Sequence, residues 1–401
     1  MLDYYQALQE LLEKLSHTAK VEQLDLLKAT NLILAEDVPV QYNAPLFDNS
    51  AMDGYAVGGE LAGCEQWQIV ERVAAGDTAE NIALTTGQAA RIFTGAPIPK
   101  GTTAVIQQEN TIVEGNILKA TASVKKDQNI RYCGEELTKG GQLLPAQQRL
   151  VPAAIALLAS QGYSQVKVYK PLTIHVFSTG NELIEPNQTL STGKIYDANR
   201  YLLLSWLQQS PHHIIDGGIL PDNQQQTEKA LAEASKKADV IITSGGVSVG
   251  EEDHVRAAIL QLGELVFWKL AIKPGKPFAW GNIDDSKVFM LPGNPVSSLV
   301  TFQQLVVPAL RVIAGESASN AMVKPMMAKT KFAVNKVQPR REFLRIGLAN
   351  DEAGFWAEKL ENQGSAMLAT CITADALAEI PANVAVNEND LVKIFPLDYK
   401  V

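Results

Sequence analysis

Between Pro171 and Gly315 apolar runs of strand length alternate with stretches of helix length, and nothing else in the chain restricts its fold as tightly. Residues 172–177, 240–243 and 288–291 read as strands. Helical spacing predicts helices near 199–209, 224–237, 253–262 and 295–312. Strand, loop and helix in repetition build a doubly wound parallel sheet with helices on both faces. Ligands of such sheets bind beyond the carboxyl ends of the strands.

Three loops at those ends share one design. They are Ser178-Thr179-Gly180, Ser244-Gly245-Gly246-Val247-Ser248-Val249-Gly250 and Pro292-Gly293-Asn294-Pro295. Glycine lets backbone N–H groups approach an anion closely, and a helix N-terminus adds a favourable dipole. Asn294 before Pro295 suits a helix cap and first turn. A single loop of this kind is equally an ordinary turn. Three in one sheet, two of them carrying hydroxyls, point to a site for phosphate-type groups.

Acids are interleaved with these loops: Glu182, Asp197, Asp222, Glu251, Glu252 and Asp253. Carboxylates beside phosphates repel them unless a cation intervenes, and Mg²⁺ takes one or two carboxylates together with phosphate oxygens. Glu251 and Glu252 read as solvated surface residues, whereas Asp253 suits an N-cap and a functional role equally. Lys273-Pro274-Gly275-Lys276-Pro277 adds fixed positive charge on a stiffened loop, Lys273 and Lys276 being point charges for phosphates or oxyanions.

The flanks have a different texture. Leu2, Tyr5, Leu8, Leu12 and Leu15 recur at helix spacing after an Asp3 cap, and residues 21–34 read as a second helix. From Pro45 to about residue 120 glycine, proline and short apolar runs mark a β-rich domain, with a hairpin over 111–118. Helix returns at Pro152 and ends near Gly162, so the β-rich part is inserted in a helical one. After Gly315 short strands and the turns Asn350-Asp351 and Asn387-Glu388-Asn389 indicate a small C-terminal β domain. The expected organisation is 1–44 with 134–170, then 45–133, 171–318 and 319–401. The turns Asp48-Asn49-Ser50-Ala51-Met52-Asp53-Gly54-Tyr55 and Arg91-Ile92-Phe93-Thr94-Gly95, and the cluster Arg340, Arg341, Arg345 with Gly364-Ser365, carry no chemistry by spacing alone.

Several classes are excluded. The net charge of −9 argues against general nucleic-acid binding. Three scattered cysteines, none in a C-x-x-C pair, argue against zinc ribbons and disulfide frameworks. The acidic N-terminal stretch is unlike a signal peptide, and the apolar run at 151–159 is short of a membrane span, so a cytoplasmic location without a membrane is expected. The chain lacks the nucleotide-binding, zinc-protease and serine-hydrolase signatures. Its five histidines show no ligand spacing; His175 reads as a core residue, and His212-His213 as partly exposed.

With these motifs in this order, the sequence resembles the MoeA/gephyrin family, the molybdopterin molybdenumtransferases of molybdenum-cofactor synthesis. The resemblance rests on the Asp48–Tyr55 and Arg91–Gly95 turns, Ser178-Thr179-Gly180-Asn181-Glu182-Leu183, the Ser244 loop, Lys273-Pro274-Gly275-Lys276-Pro277 and Leu291-Pro292-Gly293-Asn294-Pro295-Val296-Ser297. It implies a molybdopterin-binding-type α/β sheet with an inserted β-rich domain and a small C-terminal β-barrel. It also implies a homodimer that inserts molybdate into adenylylated molybdopterin with Mg²⁺ and release of AMP.

Carried over by motif, the resemblance implies that Asp53 and Thr94 face the site from the partner subunit and that Glu182, Asp222 and Asp253 surround the pterin-phosphate and the metal. On the same resemblance Ser178, Thr179, Gly180, Ser244, Gly245, Gly246, Ser248, Lys273, Lys276, Pro292, Gly293, Asn294 and Pro295 are expected to line the substrate cleft, and Ser365 with Arg340 or Arg345 to hold molybdate. The adenylylating enzyme and molybdoenzyme maturation proteins are the implied partners. Two positions depart from the family: Asn181 and Glu136 stand where Asp is common. Adenylylation of molybdopterin by the same α/β fold, and a non-catalytic gephyrin-like scaffold, are the alternative readings.

Overall fold

The structure is a computed structural model that describes residues 1–17, 20–61, 65–247, 254–352 and 354–398. The chain divides into two compact units: Met1–Glu36, Ala146–Pro152 and Gln165–Val401 form one, and Asp37–Pro145 with Ala153–Ser164 the other.

The larger unit is organised by a six-stranded sheet. Its elements run β1 (Thr173–Thr179), α1 (Asn199–Leu207), β2 (His213–Leu220), α2 (Gln224–Ser235), β3 (Val240–Ser244), α3 (His254–Leu262), β4 (Gly263–Lys269), β5 (Pro277–Ile283) and β6 (Ser286–Leu291). The spatial order is β2-β1-β3-β6-β5-β4. The first four are parallel, with Ile174 opposite Val240 and Ile241 opposite Val288. β5 alone runs antiparallel to both of its neighbours, β6 and β4, which the sequence reading did not foresee. The cause is local: β5 and β6 join through the turn at Asp284, whose φ is +51°, and so short a connection can only reverse the chain.

Burial alternates across this sheet as two-sided coverage demands. Ile174, Val176, Ile242 and Phe289 pack with α1, the N-terminal helix and the long helix after β6, while Phe177, Ile241, Val288 and Met290 pack with α2 and α3. That long helix, α4 (Pro295–Ile313), is apolar enough to pass for a membrane span, yet 94% of its apolar window is buried inside the protein. Its ladder loosens to a π-turn at Phe302–Val306, just before Pro308. A proline ring crowds the carbonyl four residues back, and the wider turn relieves that crowding within an otherwise continuous helix.

The N-terminal helix spans Tyr4–Lys14, and the Asp3 carboxylate caps it by accepting from the N–H groups of Tyr5 (2.9 Å) and Gln6 (3.4 Å). The helix expected over 21–34 is not formed. Val21–Asp25 is a strand paired antiparallel with Gln165–Tyr169, and only Leu26–Ala29 makes a helical turn. The partner strand lies far along the sequence, so tertiary pairing overrode a helix-like spacing of leucines.

The C-terminal part is a small barrel of β7 (Met326–Thr330), β8 (Arg341–Asp351), β9 (Gly354–Lys359), β10 (Ala376–Ile380) and β11 (Leu391–Pro396). Pairing β8-β9-β7-β11-β10 closes because β10 also pairs with β8. Alanines 328, 357, 376 and 378 keep its interior narrow around Leu344, Ile346 and Ile394. The short strand Ile272–Lys273 pairs in parallel with Arg341-Glu342 at the start of β8, which joins the lysine loop to the barrel.

In the smaller unit a six-stranded sheet runs in the order Thr102–Gln107, Gly54–Gly58, Gln88–Ile92, Gln66–Val73, Ile117–Ala120, Thr111–Glu114. The last two form the expected hairpin, turning at Gly115 with φ +63°. Helix Pro152–Ser160 opens on its proline, and Gly162 follows at φ +82°.

His212, just before β2, accepts a hydrogen bond on Nδ1 from the Leu172 N–H at 3.2 Å. Burial, with Arg149 and His213 nearby, pushes its pKa down from 6.5 to about 3. The unfolded chain therefore binds this proton at a higher pH than the folded one, so stability falls as pH drops from about 6.5 toward 3. Replacing His212 by Gln should flatten the fall of the thermal midpoint over that range; identical slopes for the two proteins would show that His212 does not contribute.

Candidate functional site

The carboxyl ends of β1, β3 and β6 converge at one edge of the sheet, and their loops pack closely through their glycines. A Cβ on Gly245 (φ +95°) would lie 2.8 Å from the Thr179 carbonyl oxygen, and one on Gly246 (φ +68°) 2.9 Å from Val255 Cβ. On Gly180 (φ +142°) it would meet the Glu182 carboxylate at 2.2 Å, so this glycine lets Glu182 fold back over the strand end. The Gly245 N–H donates to the Leu291 carbonyl at 3.0 Å and ties the second loop to the third.

The loops line three adjoining cavities. The first, about 420 Å³, is bounded by Thr179, Gly180, Glu182, Asp222, Gly245, Gly246, Pro292, Gly293 and Asn294. A second of about 570 Å³ shares Thr179, Glu182, Gly293 and Asn294 and adds Ser178, Ser244, Pro295, Asp197 and Asn199. The third, about 550 Å³, shares Asn294 and Ser297 with the first and is bounded by Lys273, Lys276, Arg340 and Ser365. Asn294 sits where the three meet. Pro295 begins α4 as its sequence suggests, but the Asn294 side chain makes no capping bond.

Behind the loops lies a buried polar frame. Arg200, 1% exposed, pairs with Asp197 at 2.9 Å and also with Asp216 and Glu185. Burial opposes its charge, but bonds to the three carboxylates raise its pKa overall. The Ser178 hydroxyl donates to Asp197. Asn199 donates to Ser244 Oγ (2.8 Å) and to the Gly293 carbonyl (2.7 Å), linking the second and third loops. The hydroxyls of Ser178 and Ser244 are thus engaged in the wall. Asn199 and Arg200 were missed in the sequence, although a polar pair opening a helix directly after Asp197 was the available signal.

Glu182 and Asp222 share one cavity wall. Asp222 accepts from the Asn181 N–H at 2.9 Å, and its own N–H donates to Asn181 Oδ1 at 3.4 Å. An aspartate at 181 would set a second carboxylate beside Asp222; the amide avoids that. Ser248 and Asp253, like Glu251 and Glu252, lie outside the described residues. Among the described residues no three His, Cys, Asp or Glu side chains gather as a metal cage. Two carboxylates beside phosphate loops nevertheless fit Mg²⁺, which keeps waters and substrate oxygens as its other ligands. His254, not singled out by spacing, also borders the first cavity.

The three arginines of the C-terminal cluster separate. Arg340 borders the cationic cavity. Arg341 is held away by Glu379 and by Asp3 at 3.4 Å. Arg345, expected as a possible direct contact, does not line the cavity: it is 1% exposed on β8 and donates to the carbonyls of Asn362 (2.6 Å) and Gly364 (3.2 Å). Strand alternation explains this, since Arg345 shares with Phe343 the outer barrel face that the body of the unit covers. Lys273 pairs with Glu342 at 2.7 Å.

In the smaller unit Asp53 and Thr94 meet. Asp53 Oδ1 accepts from the Thr94 N–H (2.8 Å) and hydroxyl (2.9 Å), and these bonds, the backbone one foremost, lower its pKa. Both residues are exposed, as is Glu136.

Arg200→Met should leave the Asp197 carboxylate buried without its cation and cost about 3–5 kcal/mol of stability. Chemical denaturation checks this, with Arg200→Lys expected to lose less. Equal stability of Arg200→Met and the parent would mean the frame is not electrostatic.

Residues 2–162 match the MoeA N-terminal region (domain I and II), residues 175–312 a probable molybdopterin binding domain, and residues 327–397 the MoeA C-terminal region (domain IV). The molybdopterin molybdenumtransferase of Haemophilus influenzae is 39% identical over 405 residues, covering 98% of this chain and 99% of that protein. That of Nostoc sp. is 38% identical over 315 residues, 76% of this chain and 72% of its own. The solved structure of a molybdopterin biosynthesis MoeA protein from Pyrococcus horikoshii OT3 superposes with a TM-score of 0.82 at 29% identity, covering 99% of this chain and all of that one.

Proposed function

Since the chain belongs to the MoeA family, we propose that it is a molybdopterin molybdenumtransferase, inserting molybdate into adenylylated molybdopterin with release of AMP as the last step of molybdenum-cofactor synthesis. The observation that carries this reading is the continuity of the cleft: glycine loops of phosphate-binding type at one end adjoin Lys273, Lys276, Arg340 and Ser365 at the other. The first end suits the pterin-phosphate and adenylyl groups, whose oxygens meet backbone N–H groups there. The second suits a tetrahedral dianion, which needs concentrated positive charge and hydrogen-bond donors in an otherwise acidic protein.

Mg²⁺ belongs to this reading, with Glu182, Asp222 and Asp253 as its holders. When bound it would offset the charge of the phosphoanhydride and of the departing AMP. The chain's own residues bring the two reactants together: the loops orient the phosphates, and the lysines and Arg340 retain molybdate beside them. A cytoplasmic homodimer also belongs to it, in which Asp53 and Thr94 serve the partner's cleft. So do a molybdopterin-adenylylating enzyme that supplies the substrate and maturation proteins that receive the product.

Release of AMP from adenylylated molybdopterin should depend on molybdate. Transfer of AMP from ATP would favour the adenylyltransferase reading instead, and binding without turnover a scaffold. Ser365→Ala or Arg340→Ala should raise the half-saturating molybdate concentration about tenfold to a hundredfold, the worth of a charge-assisted hydrogen bond of about 1.5–3 kcal/mol. Adenylylated-molybdopterin affinity should barely change.

Asp222→Asn and Asp253→Asn should each raise the Mg²⁺ concentration required for turnover, and unchanged Mg²⁺ curves for both would remove these carboxylates from the metal. Mixing Asp53→Asn with Asp253→Asn subunits should restore partial activity, since each heterodimer keeps one intact site. A verified heterodimer without activity would argue against shared sites.

A further inference from the structure

Arg345 is a cation with an unusual setting. It is 1% exposed, its Nε has no hydrogen-bond partner among the described residues, and the acceptors it reaches among them are two backbone carbonyls. Burying a guanidinium without a carboxylate is costly, so the position has to gain something from the charge or from the fork of donors. Burial lowers its pKa, as expected for an uncompensated cation.

What it holds is the turn that carries Ser365. One Nη2 reaches both the Asn362 carbonyl (2.6 Å) and the Gly364 carbonyl (3.2 Å). Gln363 fastens the same turn to the backbone of Arg345: its Oε1 accepts from the Arg345 N–H (2.9 Å) and its Nε2 donates to the Arg345 carbonyl (2.8 Å). The Ser365 carbonyl is taken in turn by the Val296 N–H at 3.0 Å, in the first turn of α4. Three carbonyl oxygens of the turn are therefore engaged by donors. The Ser365 hydroxyl makes no hydrogen bond among the described residues and belongs to a residue lining the cavity of Lys273, Lys276 and Arg340.

We propose that Arg345 is a positioning residue for the oxyanion end of the cleft: it draws the carbonyls of Asn362 and Gly364 to itself, so that the turn offers the anion a hydroxyl donor and not carbonyl lone pairs. The inference rests on the reading of that cavity as the molybdate end of the site. Arg345 does not touch the oxyanion; it acts through Ser365.

The test is a double-mutant cycle read as half-saturating molybdate in AMP release, at saturating adenylylated molybdopterin. Ser365→Ala and Arg345→Met should each raise it about tenfold, and the double variant should also lie near tenfold, because residues acting through one contact are not additive. Arg340→Ala combined with Arg345→Met should multiply. Half-saturation by adenylylated molybdopterin should stay near the parent value throughout, which a general loosening of the fold would not allow. If Ser365→Ala and Arg345→Met multiply to about a hundredfold, or if Arg345→Met leaves molybdate dependence unchanged while Ser365→Ala alters it, the positioning role is wrong and the molybdate reading stands. If Ser365→Ala and Arg340→Ala both leave molybdate dependence unchanged in an active enzyme, the reading of the cavity itself is wrong. Should Arg345→Met fail to fold, Gln363→Ala replaces it in the same cycle: non-additivity with Ser365→Ala supports the clamp, and additivity overturns it.

Discussion

The cleft depends on one buried cation. Arg200 gathers Asp197, Asp216 and Glu185 from the strap after β1 and from β2, and through Asp197 it reaches the Ser178 hydroxyl at the end of β1. A carboxylate as enclosed as Asp197 is tolerated only with a cation beside it, and Arg200 is tolerated only with the acids. Neither can be relaxed alone. The strap that carries Glu182 is thereby held to the sheet, and Asn199, next in the chain, fixes the other two loops to one another. A loop cluster of irregular backbone acquires the definition of a strand end.

The charge pattern follows from the same economy of placement. Most carboxylates of this acidic chain lie outside the cleft or face a cation, while Lys276 and Arg340 border the third cavity without an ion-pair partner among the described residues. Lys273 is partly neutralised by Glu342, which moderates the field without removing it. In a cleft walled by protein, a few such charges act more strongly than the same number in open solvent.

Legibility from the sequence divides along physical lines. Strands β1, β3 and β6 of the α/β sheet, their loops and the Asn294-Pro295 helix start could be read because each depends on local apolar spacing and backbone chemistry. The Asp3 cap and the 111–118 hairpin could be read for the same reason. The segment 21–34 could not, because its strand takes its partner from Gln165–Tyr169. Nor could the reversed strand β5, which depends on a turn residue in a left-handed conformation at Asp284. At the site, residue types identified the loops and the lysines. That Arg345 stays out of the cavity follows from the alternation of β8, which sets it with Phe343 on the covered outer face of the barrel. Asn199 and Arg200 work from behind the surface, where spacing carries little trace of them.

The parallel pairing of Ile272–Lys273 with Arg341-Glu342 makes the lysine loop and the barrel a single backbone ladder. Positions along a ladder are set by amide geometry, not by the give of side-chain packing. If that cavity receives the oxyanion as proposed, a donor array mounted in this way is a gauge of fixed jaw: it would respond to the charge and the tetrahedral shape of what enters, and hardly adjust to the identity of the central atom. Two oxyanions alike in shape and charge would be received alike, and the choice between them would pass from the binding surface to whatever supplies the anion.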